Sequence, residues 1–264
     1  MCSPPFGRSP SRCSHRWFEP IFSIFQASTL FSFYLSCYSV AELRVSVLGD
    51  SFIRRLRLFL SRDSYHFSVD FKISHRAFIK WHGVGGRTVS KTLHLDLNVI
   101  ESFRPEIVIL QLGSNDLTDS DPLHVGSALE DFVRLLHDTY DVKVVCVCQT
   151  IMRQGTVVFN RKAKLLTKYL RGVLEPIPYA FFWGHRGFWR PTQNFYARDG
   201  VHLNSPGQVK YHRCLRGAIL RSLSLFSIIS SCWGFNVSFH FPVEPFKVYV
   251  LASPCLCFSD SRLC

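Results

Sequence analysis

The chain has 264 residues, 47% of them hydrophobic and 19% charged. That composition allows one packed domain with appendages and excludes wholesale disorder. A formal net charge of +12, from 31 Lys and Arg against 19 Asp and Glu, admits nucleic acid, an acidic partner or a membrane surface as company. The basic residues are scattered, and no helix-turn-helix, zinc-finger or aromatic-basic ribonucleoprotein pattern is visible. Most therefore read as solvated helix faces, and nucleic acid is the disfavoured partner.

Residues 1–43 pass from a Ser/Pro/Arg-rich opening into the apolar run WFEPIFSIFQASTLFSFYLSCYSVA. Arginines ahead of an apolar run that ends in small residues have the character of a secretory signal or anchor. Glu19, Pro20 and Gln26 interrupt it, however, and the unbroken part is short for a membrane span.

Residues 44–223 alternate strand and helix signals. RVSVL (44–48) is a short strand, and FIRRLRLFLS carries apolar positions at helical spacing. FSVDFKI (67–73) alternates as a strand; a Gly-rich turn follows, then VSKTLHLDLNVIESF (89–103) as a helix. EIVILQL (106–112) is a continuous β-branched run of the kind buried on both faces of a sheet. The next helix opens with Asp121 as N-cap and Pro122 in its first turn. VKVVCVC, NRKAKLLTKYLRGVLE and YAFFW continue as strand, helix, strand, and a last helix runs from about Ser205 to Leu223. This alternation predicts right-handed crossovers and a five-stranded parallel sheet with helices on both faces, a three-layer α/β/α sandwich. Residues 224–264 are apolar and rich in Phe, Ser and Cys without a clean period. They read as a poorly specified extension, and Asn236 in NVS is a glycosylation acceptor only if the chain is secreted.

Ligands of such sheets sit beyond the carboxyl ends of the strands. After the first strand comes Gly49-Asp50-Ser51, after the second GVGGRT (83–88), after the third Gly113-Ser114-Asn115-Asp116, and after the fifth DGVHLN (199–204). These residue types can form a hydrolytic centre. A serine hydroxyl is a weak nucleophile until an imidazole takes its proton, and His202 can do so for Ser51. The imidazole needs a carboxylate on its other nitrogen, and Asp199 lies three residues away. The developing oxyanion needs preorganised donors, which the N–H groups of Ser51 and Gly86 and the side-chain amide of Asn115 can supply. The G-x-S-x-G nucleophile elbow is absent, which argues against the α/β-hydrolase arrangement.

GDSF, GVGGRT, GSND and DGVHLN resemble, in order, the four sequence blocks of the SGNH (GDSL-type) hydrolase superfamily, across about residues 44–223. The resemblance implies a flavodoxin-like sheet of order 2-1-3-4-5 and a serine hydrolase that needs neither metal nor cofactor. It also implies an ester, acetyl or thioester substrate, met as a small molecule. Carried over residue by residue, Ser51 is the nucleophile, His202 the base, Asp199 its orienter, and Gly86 and Asn115 oxyanion donors. Gly85 and Gly86 leave the second donor ambiguous by one residue. Phe52 replaces the usual leucine, a change expected to matter only for packing. GHRGFWRPTQNFYAR (184–198) lies outside the pattern, so substrate class is not inherited.

Other residues have plainer readings. Asp50 and Asp116 are expected to brace their loops by accepting backbone N–H bonds, and Asn204 to cap the last helix. Arg87 reads either as an anchor for an anionic substrate group or as an exposed side chain. His185 reads as structural ahead of pocket-lining; Phe188, Trp189, Phe195 and Tyr196 either cover a pocket or pack the loop. Cys146 and Cys148 share one strand face without a second Cys or His pair at zinc spacing, so they read as small buried hydrophobes. No disulfide framework is visible, which favours a reducing, cytoplasmic compartment; a working N-terminal signal would instead mean secretion or anchoring. A competing functional reading keeps the fold and drops the chemistry: an accessory binding module of the kind mobile elements encode, associated with nucleic acid.

Overall fold

The computed structural model describes residues 43–62, 67–191 and 193–233. The apolar opening, the Asn236 acceptor and the tail after Trp233 lie outside the described residues. Five strands, β1 (Leu43–Gly49), β2 (Ala77–Gly83), β3 (Ile107–Gln111), β4 (Val144–Cys148) and β5 (Ala180–Trp183), pair in parallel in the order 2-1-3-4-5. Seven helices connect and cover them among the described residues: α1 (Ser51–Arg62), α2 (Val89–Leu95), α3 (Leu97–Phe103), α4 (Asp116–Asp119), α5 (Pro122–Asp138), α6 (Val157–Leu174) and α7 (Ser205–Trp233).

Strand alternation sorts the core into two halves. Val45, Val47, Ile107, Ile109, Val144, Cys146 and Cys148 point toward α1 and α7, packing on Phe52, Ile53, Leu56, Tyr211, Leu215 and Ile219. Leu48, Val108, Leu110, Val145 and Val147 point the other way, into Ile100, Leu129, Phe132, Val133, Leu166 and Leu170 of α3, α5 and α6. The three inner strands β1, β3 and β4 are thus buried on both faces, which is why they read as apolar runs, whereas the edge strands β2 and β5 are only partly covered. Cys146 and Cys148 are both buried on the α1/α7 side.

Three elements differ from the expectation. The alternation at Phe67–Ile73 predicts a strand that does not form: Phe71 and Lys72 have φ of 54° and 58°, and Phe71 N–H and Ile73 N–H close turns onto Ser68 and Asp70 carbonyls. The buried Phe71 and Ile73 still reach the core from those turns. The real second strand, AFIKWHG, starts at Ala77 and runs straight into Gly83. The helix at 89–103 is two helices broken at Asp96, whose φ of −119° and ψ of −2° end α2 and start α3. The last helix continues through Trp233 rather than ending near Leu223, with Leu225, Phe226 and Ile229 packed against the core. By length and composition Ser205–Ser231 is apolar enough to cross a membrane, yet its Tyr211, Leu215, Ala218 and Ile219 are fully buried on the sheet.

Candidate active site

All the expected loops open on one edge of the sheet, because every parallel crossover returns the chain in the same direction. β1 ends on Gly49, where a Cβ would lie 2.6 Å from Ile53 and 2.7 Å from the Gln111 carbonyl oxygen. Only glycine allows the strand to turn this sharply into α1. Asp50 follows, buried, its Oδ1 accepting the N–H of Phe52 at 2.9 Å while its own N–H donates to the Gln111 carbonyl. Ser51 is then the first residue of α1, with its hydroxyl on the rim.

Across the rim, His202 Nε2 lies 3.3 Å from Ser51 Oγ, and its Nδ1 lies 2.6 Å from Asp199 Oδ2. A carboxylate only accepts, so the ring proton is on Nδ1 and Nε2 is the acceptor for the serine hydroxyl. The other Asp199 oxygen accepts the N–H groups of Val201 and His202, both at 2.9 Å. Burial alone would raise the Asp199 carboxyl, but the bonds from the His202 ring and these two N–H groups outweigh it and hold it down at about 2. The turn is clamped from outside: His202 C=O accepts the Ala197 N–H at 2.8 Å, and Gly200 C=O accepts the Gln154 N–H at 2.7 Å.

The second and third loops are hydrogen-bonded to each other, and Gly85 of the second lines a cleft together with Ser51. Gly86 has a φ of 72° and open space where a side chain would stand, so its backbone is approachable; Gly85 precedes it, next to Arg54. Asn115 donates one amide hydrogen to the Arg87 carbonyl at 2.8 Å, which fixes the amide plane and leaves its second hydrogen to donate. Asp116 accepts the Val89 N–H at 2.9 Å, tying the start of α2 to the third loop; burial raises its carboxyl. Both Asp50 and Asp116 therefore brace loops. Asn204 accepts the Gly207 N–H at 2.9 Å as N-cap of α7 and also donates to the Asn194 and Tyr196 carbonyls.

Arg87 matches neither of its two expected roles. Its Nη2 makes a directed hydrogen bond to Asp96 Oδ1 at 3.0 Å, while Nε sits 2.8 Å from Oδ2 as an unaligned charge contact. His82 Nε2 also lies 3.0 Å from that carboxylate. The break at Asp96 thus supplies the acid that holds Arg87, and through the Arg87 carbonyl, Asn115.

His185 is fully buried beneath the rim, with Nε2 2.8 Å from Gln111 Oε1 and its N–H on Gln149 Oε1. Phe188 and Tyr196 pack the loop inside, and only Trp189 of the four aromatics is well exposed. Sequence reasoning missed Arg153, which donates to the Ser114 carbonyl at 2.8 Å, lies over the Phe159 ring at 3.9 Å and pulls down the Asp50 carboxyl by its charge. Its position in the loop after β4, on the same rim, was the available signal. It also missed Gln111 and Gln149, whose polar side chains are sealed under the sheet edge. Among the described residues, no group of three or more His, Cys, Asp or Glu side chains is placed to hold a metal ion.

A three-layer α/β/α sandwich of this strand order, with a Ser, His and Asp chain of hydrogen bonds on its carboxyl rim, defines the class. The fold is that of the SGNH (GDSL-type) hydrolases. A GDSL-like lipase from Bacteroides thetaiotaomicron superposes with a TM-score of 0.53 at 12% identity, covering 77% of this chain and 98% of that one. The esterase EstA from a Pseudoalteromonas species gives 0.51 at 14% identity, over 69% of this chain and all of that one. A Geobacillus acetyl-xylooligosaccharide esterase gives 0.53 at 15%, over 67% and 94%. No protein-family model matches the sequence, and no curated protein does.

Proposed function

We propose that this protein is a serine hydrolase that cleaves a small-molecule ester through an acyl-enzyme on Ser51. The observation that carries the reading is the unbroken chain from Ser51 Oγ to His202 Nε2 and from His202 Nδ1 to Asp199 Oδ2. In this mechanism His202 takes the hydroxyl proton as Ser51 Oγ attacks the carbonyl carbon. Asp199, held ionised, stabilises the imidazolium. The tetrahedral oxyanion is met by the N–H of Ser51, the N–H of Gly86 and the free amide hydrogen of Asn115. Collapse expels the alcohol with the proton from His202, and water then repeats the sequence on the acyl group.

The expected outcome for Ser51→Ala is loss of fluorophosphonate labelling and a fall of about 1,000-fold or more in turnover of 4-nitrophenyl acetate. Its melting curve should match the wild type, since the hydroxyl is not buried structure. Labelling that survives in Ser51→Ala would move the nucleophile elsewhere. The accessory nucleic-acid reading draws on the net charge of +12. It predicts the opposite pattern: salt-dependent binding of single-stranded RNA by the full chain and no labelling of Ser51.

A further inference from the structure

Beside Ser51 lies an open cleft of about 590 Å³. One wall is the outer face of α1, and the other is the Leu203–Ser205 stretch that directly follows His202. Helical spacing puts Arg54, Arg55 and Arg62 on the α1 wall, and no acidic side chain lines the cleft. The inner face of the same helix is the buried Phe52, Ile53, Leu56 and Leu60, so the arginines stand on its outward side, where Arg54 and Leu58 also border a second groove against β2. Among the described residues neither Arg54 nor Arg55 has a carboxylate at ion-pair distance.

The positive charge is held close to the chemistry. The Arg54 guanidinium leans over Gly85, where a Cβ would lie 3.7 Å from it, next to the glycine assigned as oxyanion donor. Between the charges, Leu58 is 45% exposed and offers apolar contact. Like charges crowded on one helix face repel each other. An anion in the cleft relieves that repulsion, and the cleft walls strengthen the attraction relative to open water.

Position decides which half of an ester lies there. The proton for the leaving oxygen comes from His202 Nε2, and the cleft opens on the residues immediately after His202. We infer that this cleft binds the alcohol portion of the ester and selects alcohols carrying a negatively charged group, a carboxylate, sulfate or phosphate, through Arg54 and Arg55. The inference rests on Ser51 being the nucleophile.

Two acetate esters test it on the full chain: 4-acetoxyphenylacetate, which is anionic, and 4-acetoxyphenylacetamide, which is neutral. The methylene insulates the phenol in both, so the leaving groups are matched. The expected kcat/KM ratio favours the anionic ester about 5- to 10-fold at low salt and shrinks toward one in about 0.5 M salt. In the Arg54→Ala, Arg55→Ala double variant the low-salt ratio should fall to near one with the melting temperature held. The corresponding lysine variant should keep most of it. The sulfate and phosphate analogues of the anionic ester distinguish a general charge preference from a carboxylate-specific one, and either result supports the inference. If a fluorophosphonate labels Ser51 but the anionic ester reacts no faster than the neutral one, or the preference survives the double alanine variant, the inference is overturned and the esterase reading stands. If Ser51 is not labelled and neither ester reacts, both fall.

Discussion

Asp50 carries a conflict between position and charge. It is sealed under the Ser51 turn, and burial pushes its carboxyl up to about 7 although the Phe52 N–H and the Arg153 charge pull the other way. The folded state therefore binds this proton more tightly than the unfolded chain, whose carboxyl titrates near 3.8. Between those two values the folded state holds more protons, so stability falls as pH rises, and below 3.8 the group contributes no slope. The shift is about three pKa units, which sets a ceiling of about 4 kcal/mol on the loss. Asp50→Asn keeps the oxygen that accepts the Phe52 N–H and removes the charge. It should match the wild type in urea unfolding at pH 4 and exceed it by an increasing margin up to about pH 7. Equal pH slopes in the two proteins would mean that Asp50 ionises in the fold as easily as outside it. At this scale much was legible in the sequence. Ser51, Gly86 and Asn115 stand out in short turns soon after apolar runs, and Asp199 and His202 in the turn before the last helix. Arg153, Gln111 and Gln149 did not stand out, because the contacts that tie each of them to the rim include partners 36 or more positions away.

Among the elements, the break between α2 and α3 shows what local pattern leaves out. The run 89–103 keeps helical spacing throughout, so periodicity joins it. What separates the halves is the non-local demand on Asp96, which is 4% exposed and faces Arg87 and His82. The false strand at Phe67–Ile73 has the same origin. Alternating apolar residues suit either a strand or a pair of turns that drop Phe71 and Ile73 into the core, and only the left-handed φ at Phe71 and Lys72 tells them apart. Asp96 also has a consequence for the chemistry, since Arg87 positions Asn115 through its backbone carbonyl. Asp96→Ala leaves a largely buried guanidinium without its carboxylate, an imbalance that costs about 3 kcal/mol in stability. The same variant should slow ester turnover by releasing Asn115. Urea unfolding reads the first effect and kcat for 4-nitrophenyl acetate the second. A loss of stability with full kcat would show that the Asn115 amide holds its plane without the ion pair.

For the whole molecule, a parallel sheet with helices on both faces follows from apolar strands alternating with amphipathic helices, a pattern visible along residues 44–223. The order 2-1-3-4-5 is instead implied by the resemblance of the four blocks and observed in the structure. The far boundary was less visible, because past Leu223 the apolar residues stop following a clean helical period. The structure resolves this by geometry: α7 continues to Trp233 and lays Leu225, Phe226 and Ile229 against the same core half that carries Tyr211 and Leu215. These three are only partly buried, so each contributes less than a core side chain, together about 3 kcal/mol at the usual value for buried apolar area. We therefore propose that the last turns of α7, as far as Trp233, belong to the same folded domain. A chain stopped after Leu223 should still fold, since the sheet and the rim loops are intact, but should melt several degrees below one stopped after Trp233. It should also keep Ser51 labelling at low temperature, because the N-terminal end of α7, where Asn204 caps the helix beside His202, is untouched. Identical melting curves would mean that the last turns of α7 add nothing to the domain. Loss of labelling in a folded, truncated chain would mean that the far end of the helix controls how its first turn meets the site.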